Sequence, residues 1–506
     1  MKTSFLVIAT LVGSLAHAQP WTPIVIWERD GLGDSSLYGT SILALGDQNS
    51  DGFKDWAVYA QGQGNAPSGD PNEPRVEFFY GGNPPDTVPY MTRVADHSTE
   101  IAIRGARALG DLNGDGYVDW YIFTSFVGDP AEHRIFKIYF GGPGSHEQPD
   151  LIFVAPWFSG YRCVGDFNGD GYDDLQFTEG MDDRADILYG GNPMDTIPDW
   201  SHRPTLISMG YGDVNDDNYS DFVSDLESGV GPQIYLGGSA PANEPAYTWT
   251  PLHSVATTII SDVNGDRYAE LCFGQPGGMR LCLGGDVLDS ARAVFLDFPC
   301  AGSAPMKICS AGDLNHDGYQ DVAMFSFNCN GAGSSLLSVH LGHPWMSAEP
   351  AFTIGSGSAP TNLPGIRSAA SLGDVDGDGV DDLGIGGVDP LPQAGWRGRA
   401  VIISGDTTLI VSADAPPAIP EAFDVSVYPN PFNSSTMIQL KGWRGSGQVT
   451  LSIANLLGQE VRREILLPLA GEYTYHLDAR EWSTGIYFVL AEAGEWRAIR
   501  KVTLLR

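Results

Sequence analysis

The chain has 506 residues, with 63 Asp+Glu against 28 Lys+Arg, a formal net charge of −35 and 18% charged residues overall. That balance excludes nucleic acid or an anionic membrane surface bound through a basic patch, and a hydrophobic content of 42% excludes a disordered chain. Acidity on this scale calls for cations.

Met1 to Ala18 reads as a secretory signal peptide: Lys2 supplies the positive start, Phe5 to Val12 the apolar stretch, and Ala16-His17-Ala18 the small-x-small cleavage site. No later stretch approaches the roughly 18 consecutive apolar residues of a membrane-spanning helix. The chain is therefore expected to be exported, without a membrane-spanning helix.

From residue 47 onward one acidic run recurs seven times: DQNSDGFKD at Asp47, DLNGDGYVD at Asp111, DFNGDGYDD at Asp166, DVNDDNYSD at Asp213, DVNGDRYAE at Asp262, DLNHDGYQD at Asp313 and DVDGDGVDD at Asp374. The starts lie about 54 residues apart, in the range of one propeller blade. Around each run stand an apolar segment before it (Ser41 to Gly46, Arg162 to Gly165), an alternating segment after it (Asp55 to Tyr59, Asp321 to Phe325) and a third closing in Gly-Gly (Val76 to Gly82, Ile187 to Gly191, Ile234 to Gly238). A fourth, more variable segment follows, often with Trp near Pro. Four short strands per unit with little helical periodicity predict an all-β fold, a seven-bladed β-propeller over residues 19–412.

The run itself has calcium chemistry. Positions 1, 3 and 5 offer side-chain oxygens, Gly at 6 allows a sharp turn, position 7 offers a carbonyl, and an acid closes the loop at 9 where an EF-hand closes at 12. Hard oxygen donors favour calcium over metals that ask for His or Cys. The expected ligands are Asp47, Asn49, Asp51, the Phe53 carbonyl and Asp55 in the first loop, and Asp111, Asn113, Asp115, Tyr117 and Asp119 in the second. They continue as Asp166, Asn168, Asp170, Tyr172 and Asp174 in the third, and Asp213, Asn215, Asp217, Tyr219 and Asp221 in the fourth. Asp262, Asn264, Asp266, Tyr268 and Glu270 form the fifth set, Asp313, Asn315, Asp317, Tyr319 and Asp321 the sixth, and Asp374, Asp376, Asp378, Val380 and Asp382 the seventh. Up to seven Ca2+ ions are expected. The fifth set departs most from the pattern: Arg267 replaces the glycine, Glu270 closes the loop, and the site is expected to be distorted or empty. Each run is also good turn chemistry, but a turn alone was not expected to need the acid at position 9.

These units resemble the FG-GAP repeats of the integrin α-chain propeller. The resemblance rests on Ser368-Ala-Ala-Ser-Leu-Gly-Asp374, on Asp382-Leu-Gly-Ile-Gly-Gly-Val-Asp-Pro390 and on Phe273-Gly274-Gln275-Pro276. It implies a seven-bladed propeller with calcium between the first and second strands of each blade. Most units lack the literal Gly-Ala-Pro and no inserted von Willebrand-type domain occurs, so the integrin ligand mechanism is not implied.

Six cysteines without a C-x-x-C read as structural. A bond between Cys272 and Cys282 is expected across a hairpin, and one from Cys300 to either Cys309 or Cys329; Cys163 has no near partner in sequence.

After a Pro/Ala-rich linker at 413–423 the composition changes, and residues 424–506 alternate as strands of a small β-sandwich. Tyr428-Pro429-Asn430-Pro431-Phe432, Leu457-Gly458-Gln459, Gly485-Ile486-Tyr487 and the basic final strand with Arg500 and Lys501 resemble the type A C-terminal sorting domain of the type IX secretion system. The resemblance implies type IX machinery as a partner and a secreted or surface-attached location.

No catalytic motif such as G-x-S-x-G, H-E-x-x-H or a P-loop occurs, and the paired acids Asp173-Asp174 and Asp381-Asp382 fall inside the acidic loops. The favoured function is a non-catalytic adhesion or polysaccharide- or protein-binding module. The alternatives are a polysaccharide lyase or hydrolase and a structural surface-layer component. The loops Ala60 to Pro74, Ser125 to His133, Ser326 to Ser334 and Val388 to Arg397 are expected on the face opposite the acidic loops, with Trp157, Trp200 and Trp249 near blade edges.

Overall fold

The computed structural model describes residues 22–505, apart from 64–65, 127–132, 145, 156–159, 180–183, 203–207, 227–230, 250–255, 286–287, 289–292, 301–302, 330–333, 345, 389–396, 410–423, 444–448, 456–459, 467–470, 481 and 494–495. The expected signal peptide, the linker, Trp157, the Leu457-Gly458-Gln459 turn and parts of the four long loops lie outside the described residues. All described elements are strands, as the alternating patterns and Gly/Pro punctuation predict. No helix among the described residues is long and apolar enough to cross a membrane. Contacts divide the chain into two compact units, Met1–Leu281 with Phe295–Ser412, and Ala413–Arg506 with Cys282–Val294.

In the first unit the strands form seven open, four-stranded antiparallel sheets. Six are meanders of consecutive strands, the first sheet being Tyr38–Gly46, Asp55–Ala60, Arg75–Phe79 and Met91–Val94. The seventh combines Ser368–Gly373, Asp382–Gly387 and Arg399–Ser404 with the N-terminal strand Ile24–Asp30. That strand runs antiparallel along Arg399–Ser404, with Ile24 opposite Ser404 and Asp30 opposite Arg399. The N-terminal strand thus supplies the fourth strand of this sheet. Arg399 fixes its register, reaching Asp30 at 2.7 Å and Glu28 at 3.1 Å.

The first strands of the seven sheets are Tyr38–Gly46, Glu100–Gly110, Gly160–Gly165, Ser208–Gly212, Thr257–Ile260, Lys307–Gly312 and Ser368–Gly373. Each adjoins the first strand of the next sheet, and Ser368–Gly373 adjoins Tyr38–Gly46. The apolar cores accordingly lie between sheets. Tyr59, Val76 and Phe78 of the first sheet share a cluster with Ile103, Trp120 and Ile122 of the second. Trp27 and Ile402 of the seventh share one with Trp56 and Phe79 of the first. Trp27 meets Trp56 edge-on at 5.4 Å and Trp56 stacks on Phe79 at 5.5 Å, so large rings lock the N-terminal strand against both sheets. Trp200 is 5% exposed among Phe167, Phe222 and Tyr235, a packing residue rather than a sugar platform.

Cys300 and Cys329 form a disulfide, one of the two pairings expected for Cys300. The expected Cys272–Cys282 bond does not form, and both are buried thiols. Their strands, Glu270–Gln275 and Gly278–Cys282, are joined by a two-residue turn. Such a turn sets Gln275 opposite Gly278, and hence Cys272 opposite Leu281, so Cys282 points to the other face.

The second unit is a sandwich of a three-stranded sheet (Asp424–Tyr428, Ser435–Trp443, Gly471–Asp478) and a four-stranded one (Glu460–Leu466, Val449–Asn455, Gly485–Ala493, Trp496–Leu504). Val425, Ile438, Leu440 and Leu477 of one sheet and Leu451, Ile453, Val489 and Val502 of the other form a single core.

Candidate metal centres

Each acidic run connects the first strand of a sheet to the second, and the acid at position 9 is always the first residue of that second strand. The chain reverses through left-handed backbone at positions 4 and 6, where glycine is favoured, as at Gly114 (φ 73°) and Gly116 (φ 89°). The fourth loop does the same with Asp216 and Asn218. The fifth loop, expected to be distorted, keeps the same path, with Arg267 held at φ 80°. An L-residue pays roughly 1–2 kcal/mol in this region. Arg267→Gly is therefore expected to stabilise the protein by about 1 kcal/mol, measured by denaturant unfolding; a loss of stability would show that the Arg267 side chain contributes more than its backbone costs.

Asp55, Asp119, Asp174, Asp221, Glu270, Asp321 and Asp382 are all 0% exposed. The six aspartates share one pattern. One carboxylate oxygen accepts the N–H of position 2, from Gln48, Leu112, Phe167, Val214, Leu314 or Val375, at 2.7 to 2.9 Å. The other accepts the N–H of a glycine after the third strand: Gly81, Gly141, Gly190, Gly237, Gly342 or Gly405. The acid thus ties the loop to the end of the neighbouring third strand, a role that turn chemistry alone did not suggest. Glu270 accepts the Val263 N–H at 2.9 Å and the Asn264 side-chain amide at 3.1 Å.

Around this buried acid the remaining side-chain oxygens gather. In the second loop the Asp111 carboxylate accepts the N–H groups of Gly114, Asp115 and Gly116, and Asn113 donates to Asp115 Oδ2 at 2.9 Å. The third loop repeats this with Asp166, Asn168 and Asp170, and the first, fourth and sixth share its main bonds through Asp47, Asn49 and Asp51, Asp213, Asn215 and Asp217, and Asp313, Asn315 and Asp317. Two loops bring three carboxylates within 4.8 Å of one another: Asp262, Asp266 and Glu270 in the fifth, and Asp374, Asp376 and Asp382 in the seventh. The longer Glu270 side chain gives the fifth loop its cluster, so the residue that looked like a defect in sequence restores the oxygen set.

Each position 9 acid sits where a negative charge is unfavourable. Burial, followed by repulsion from the acids of the same loop, pushes Asp55 up to about 6, Asp174, Asp221 and Asp321 to about 7, Asp119 and Asp382 to about 8, and Glu270 to about 9. Backbone N–H donors offset only part of this. A divalent cation among these oxygens would offset the cost of the buried charge and the repulsion between the acids, and the all-oxygen donor set suits a hard ion. The residues fit calcium.

The loops are also joined to one another. The carbonyl of position 1 accepts the N–H of position 8 in the next loop: Asp173 on Asp111, Ser220 on Asp166, Ala269 on Asp213, Asp381 on Asp313, and Lys54 on Asp374. Between the first and second loops the Gln48 side chain substitutes, donating to the Val118 carbonyl and accepting the Gly142 N–H at 2.9 Å each. Position 7 has a second use besides its carbonyl. The ring of Tyr219 covers Gly169 of the preceding loop so closely that a Cβ there would stand 2.2 Å from it, and Tyr172, Tyr319 and Phe53 cover Gly114, Gly265 and Gly377 likewise. Asp173 and Asp381, paired acids in the sequence, instead accept the N–H groups of Asp111 and Asp313 through Oδ2.

In the second unit the Tyr-Pro-Asn-Pro-Phe motif is held to the final strand. Asn430 donates to the Lys501 carbonyl and accepts the Thr503 N–H at 2.9 Å each, while Phe432 is 3% exposed in the core. The motif is thus anchored to the sandwich by Phe432, while Tyr428 to Pro431 are exposed, Tyr428 at 76%. Residues 426–504 match the family described as the secretion system C-terminal sorting domain. The C-terminal region of the chain is a type IX sorting domain, which makes this a protein secreted through that system and attached to the outer cell surface or released outside the cell.

Proposed function

We propose that residues 19–412 form a calcium-stabilised, seven-bladed β-propeller of the FG-GAP type that acts outside the cell as a non-catalytic binding module for a polysaccharide or a protein. The observation that carries the reading is the succession of first strands, each beside the next and the last beside the first, with an acidic loop at the end of every one. Calcium explains why seven buried acids are kept beside two or more other side-chain oxygens each. The Ile24–Asp30 strand then closes the last blade, a device that ties the ring at the chain's own N-terminal end. Binding is preferred to catalysis because the paired acids are consumed by inter-loop hydrogen bonds.

The test is to incubate the secreted protein in millimolar calcium with an array of polysaccharides and matrix proteins, scoring retention and breakdown. Retention without breakdown supports the module; breakdown of any polymer overturns it in favour of a lyase or hydrolase, and silence on both counts overturns it in favour of a structural surface component. A separate expectation concerns export. Deleting residues 424–506 should leave the protein on the inner side of the outer membrane, where cell fractionation would find it, whereas normal release would show that the first unit carries its own export signal.

A further inference from the structure

Among the described residues, the first strands of the first four sheets border a cavity of about 450 Å³ lined by Ser41 to Ala44, Arg107 to Gly110, Val118, Arg162, Cys163, Gly210 and Tyr211. In a chain of net charge −35, its ionic lining is cationic. Arg107 stands on the second sheet's first strand and Arg162 on the third's, and Lys307, on the first strand of the sixth sheet, lies within electrostatic reach of both. We propose that this cavity binds a compact organic anion, a carboxylate- or sulfate-bearing ligand of about one or two sugar rings, through Arg107 and Arg162 of its lining.

Three observations carry the proposal. First, the described ion pairs use Arg29, His97, Lys137, Arg184, Arg397, Arg399, Arg462 and Arg480, and none uses these three residues. Secondly, the three act on one another. Burial and then Arg107 lower the pKa of half-buried Arg162, and burial and then Arg107 and Arg162 lower that of Lys307. Like charges that converge without an acid are relieved by a ligand of opposite charge. Thirdly, among the described residues no carboxylate acts on Arg162 or Lys307. Asp173, which acts on Cys163 and Tyr211, engages the Asp111 N–H and affects neither Arg162 nor Lys307. Arg107 is instead hydrogen-bonded to the neutral Tyr121 hydroxyl, which donates to the Tyr161 carbonyl. The planar guanidinium groups suit two-oxygen anions, and the volume lies in the range of small-ligand sites.

The inference rests on the reading of this unit as a binding module and names its ligand chemistry. Its test uses the full secreted chain in millimolar calcium and low salt, titrated calorimetrically with glucuronate, galacturonate, inorganic sulfate and, as a neutral control, methyl glucoside. Binding of at least one organic anion, weakened tenfold or more in Arg107→Gln and in Arg162→Gln and falling with added salt, is the expected result. Sulfate binding alone would reduce the site to a simple anion hole and overturn the organic ligand. No anion binding at 10-millimolar ligand, or equal affinity in both variants, overturns the site itself. If neutral polymers are retained on the array while no anion binds, the anion site falls and the binding module stands; anion binding with nothing retained gives the reverse.

Discussion

Asp174→Ala is expected to destabilise the first unit by about 3–5 kcal/mol, with or without calcium. The carboxylate is fully buried and accepts three backbone N–H groups, from Phe167 and Gly190 at 2.8 Å and from Asn168 at 3.3 Å. Alanine leaves all three without that acceptor in a site water does not reach, and the loop is no longer tied to the end of the third strand. Asp170→Ala is the matched comparison. Its side chain lies in an exposed part of the loop and receives N–H groups from Asn168 and Tyr172, so its removal costs under about 1 kcal/mol without calcium. With calcium the cost should grow, because a ligand is lost. Denaturant unfolding of both variants in calcium and in chelator reads the difference. If Asp174→Ala loses stability only in calcium, the buried acid is a ligand and little else, and the structural role assigned to position 9 is wrong.

Much of this arrangement was legible in the sequence because it is local. The repeated run from Asp to a closing acid within nine residues fixes a loop, and Gly at position 6, or Asn in the fourth run, marks where the backbone turns left-handed. The alternating segments on either side then specify strands of four to eleven residues. What escaped was non-local. Nothing in DFNGDGYDD shows that Asp174 reaches Gly190 across the sheet, or that the ring of Tyr172 lies over Gly114 one repeat earlier. Arg267 and Glu270 each break the motif singly, yet the fifth loop keeps left-handed backbone at Arg267 and brings Glu270 within reach of Asp262 and Asp266. The cationic cavity was invisible for the plainest reason. Arg107, Arg162 and Lys307 are 55 and 145 residues apart in sequence and meet only through the order of the sheets.

Chelation should have the largest effect of all. If each loop holds one calcium ion in the folded state, every site at a hundredfold excess over its dissociation constant contributes about 2.7 kcal/mol, so even two or three filled sites are comparable with the whole stability of an ordinary domain. Transfer from millimolar calcium to EGTA is therefore expected to lower the melting temperature of the first unit by ten degrees or more, reversibly, and magnesium should restore little of it. The calcium-free protein carries a second signature. Its position 9 acids have raised pKa values, from about 6 for Asp55 to about 9 for Glu270, well above those of the unfolded chain. The folded state then binds more protons than the unfolded state between about pH 4 and 8, and stability in EGTA must fall as the pH rises through that window. Calcium replaces those protons, so in its presence the decline should flatten or reverse. Scanning calorimetry at pH 5.5 and 8, with and without calcium, makes both measurements at once. A melting temperature indifferent to calcium at either pH would mean that the seven acidic loops are hydrogen-bonded turns, held by their own backbone donors, and that the net charge of −35 has another purpose.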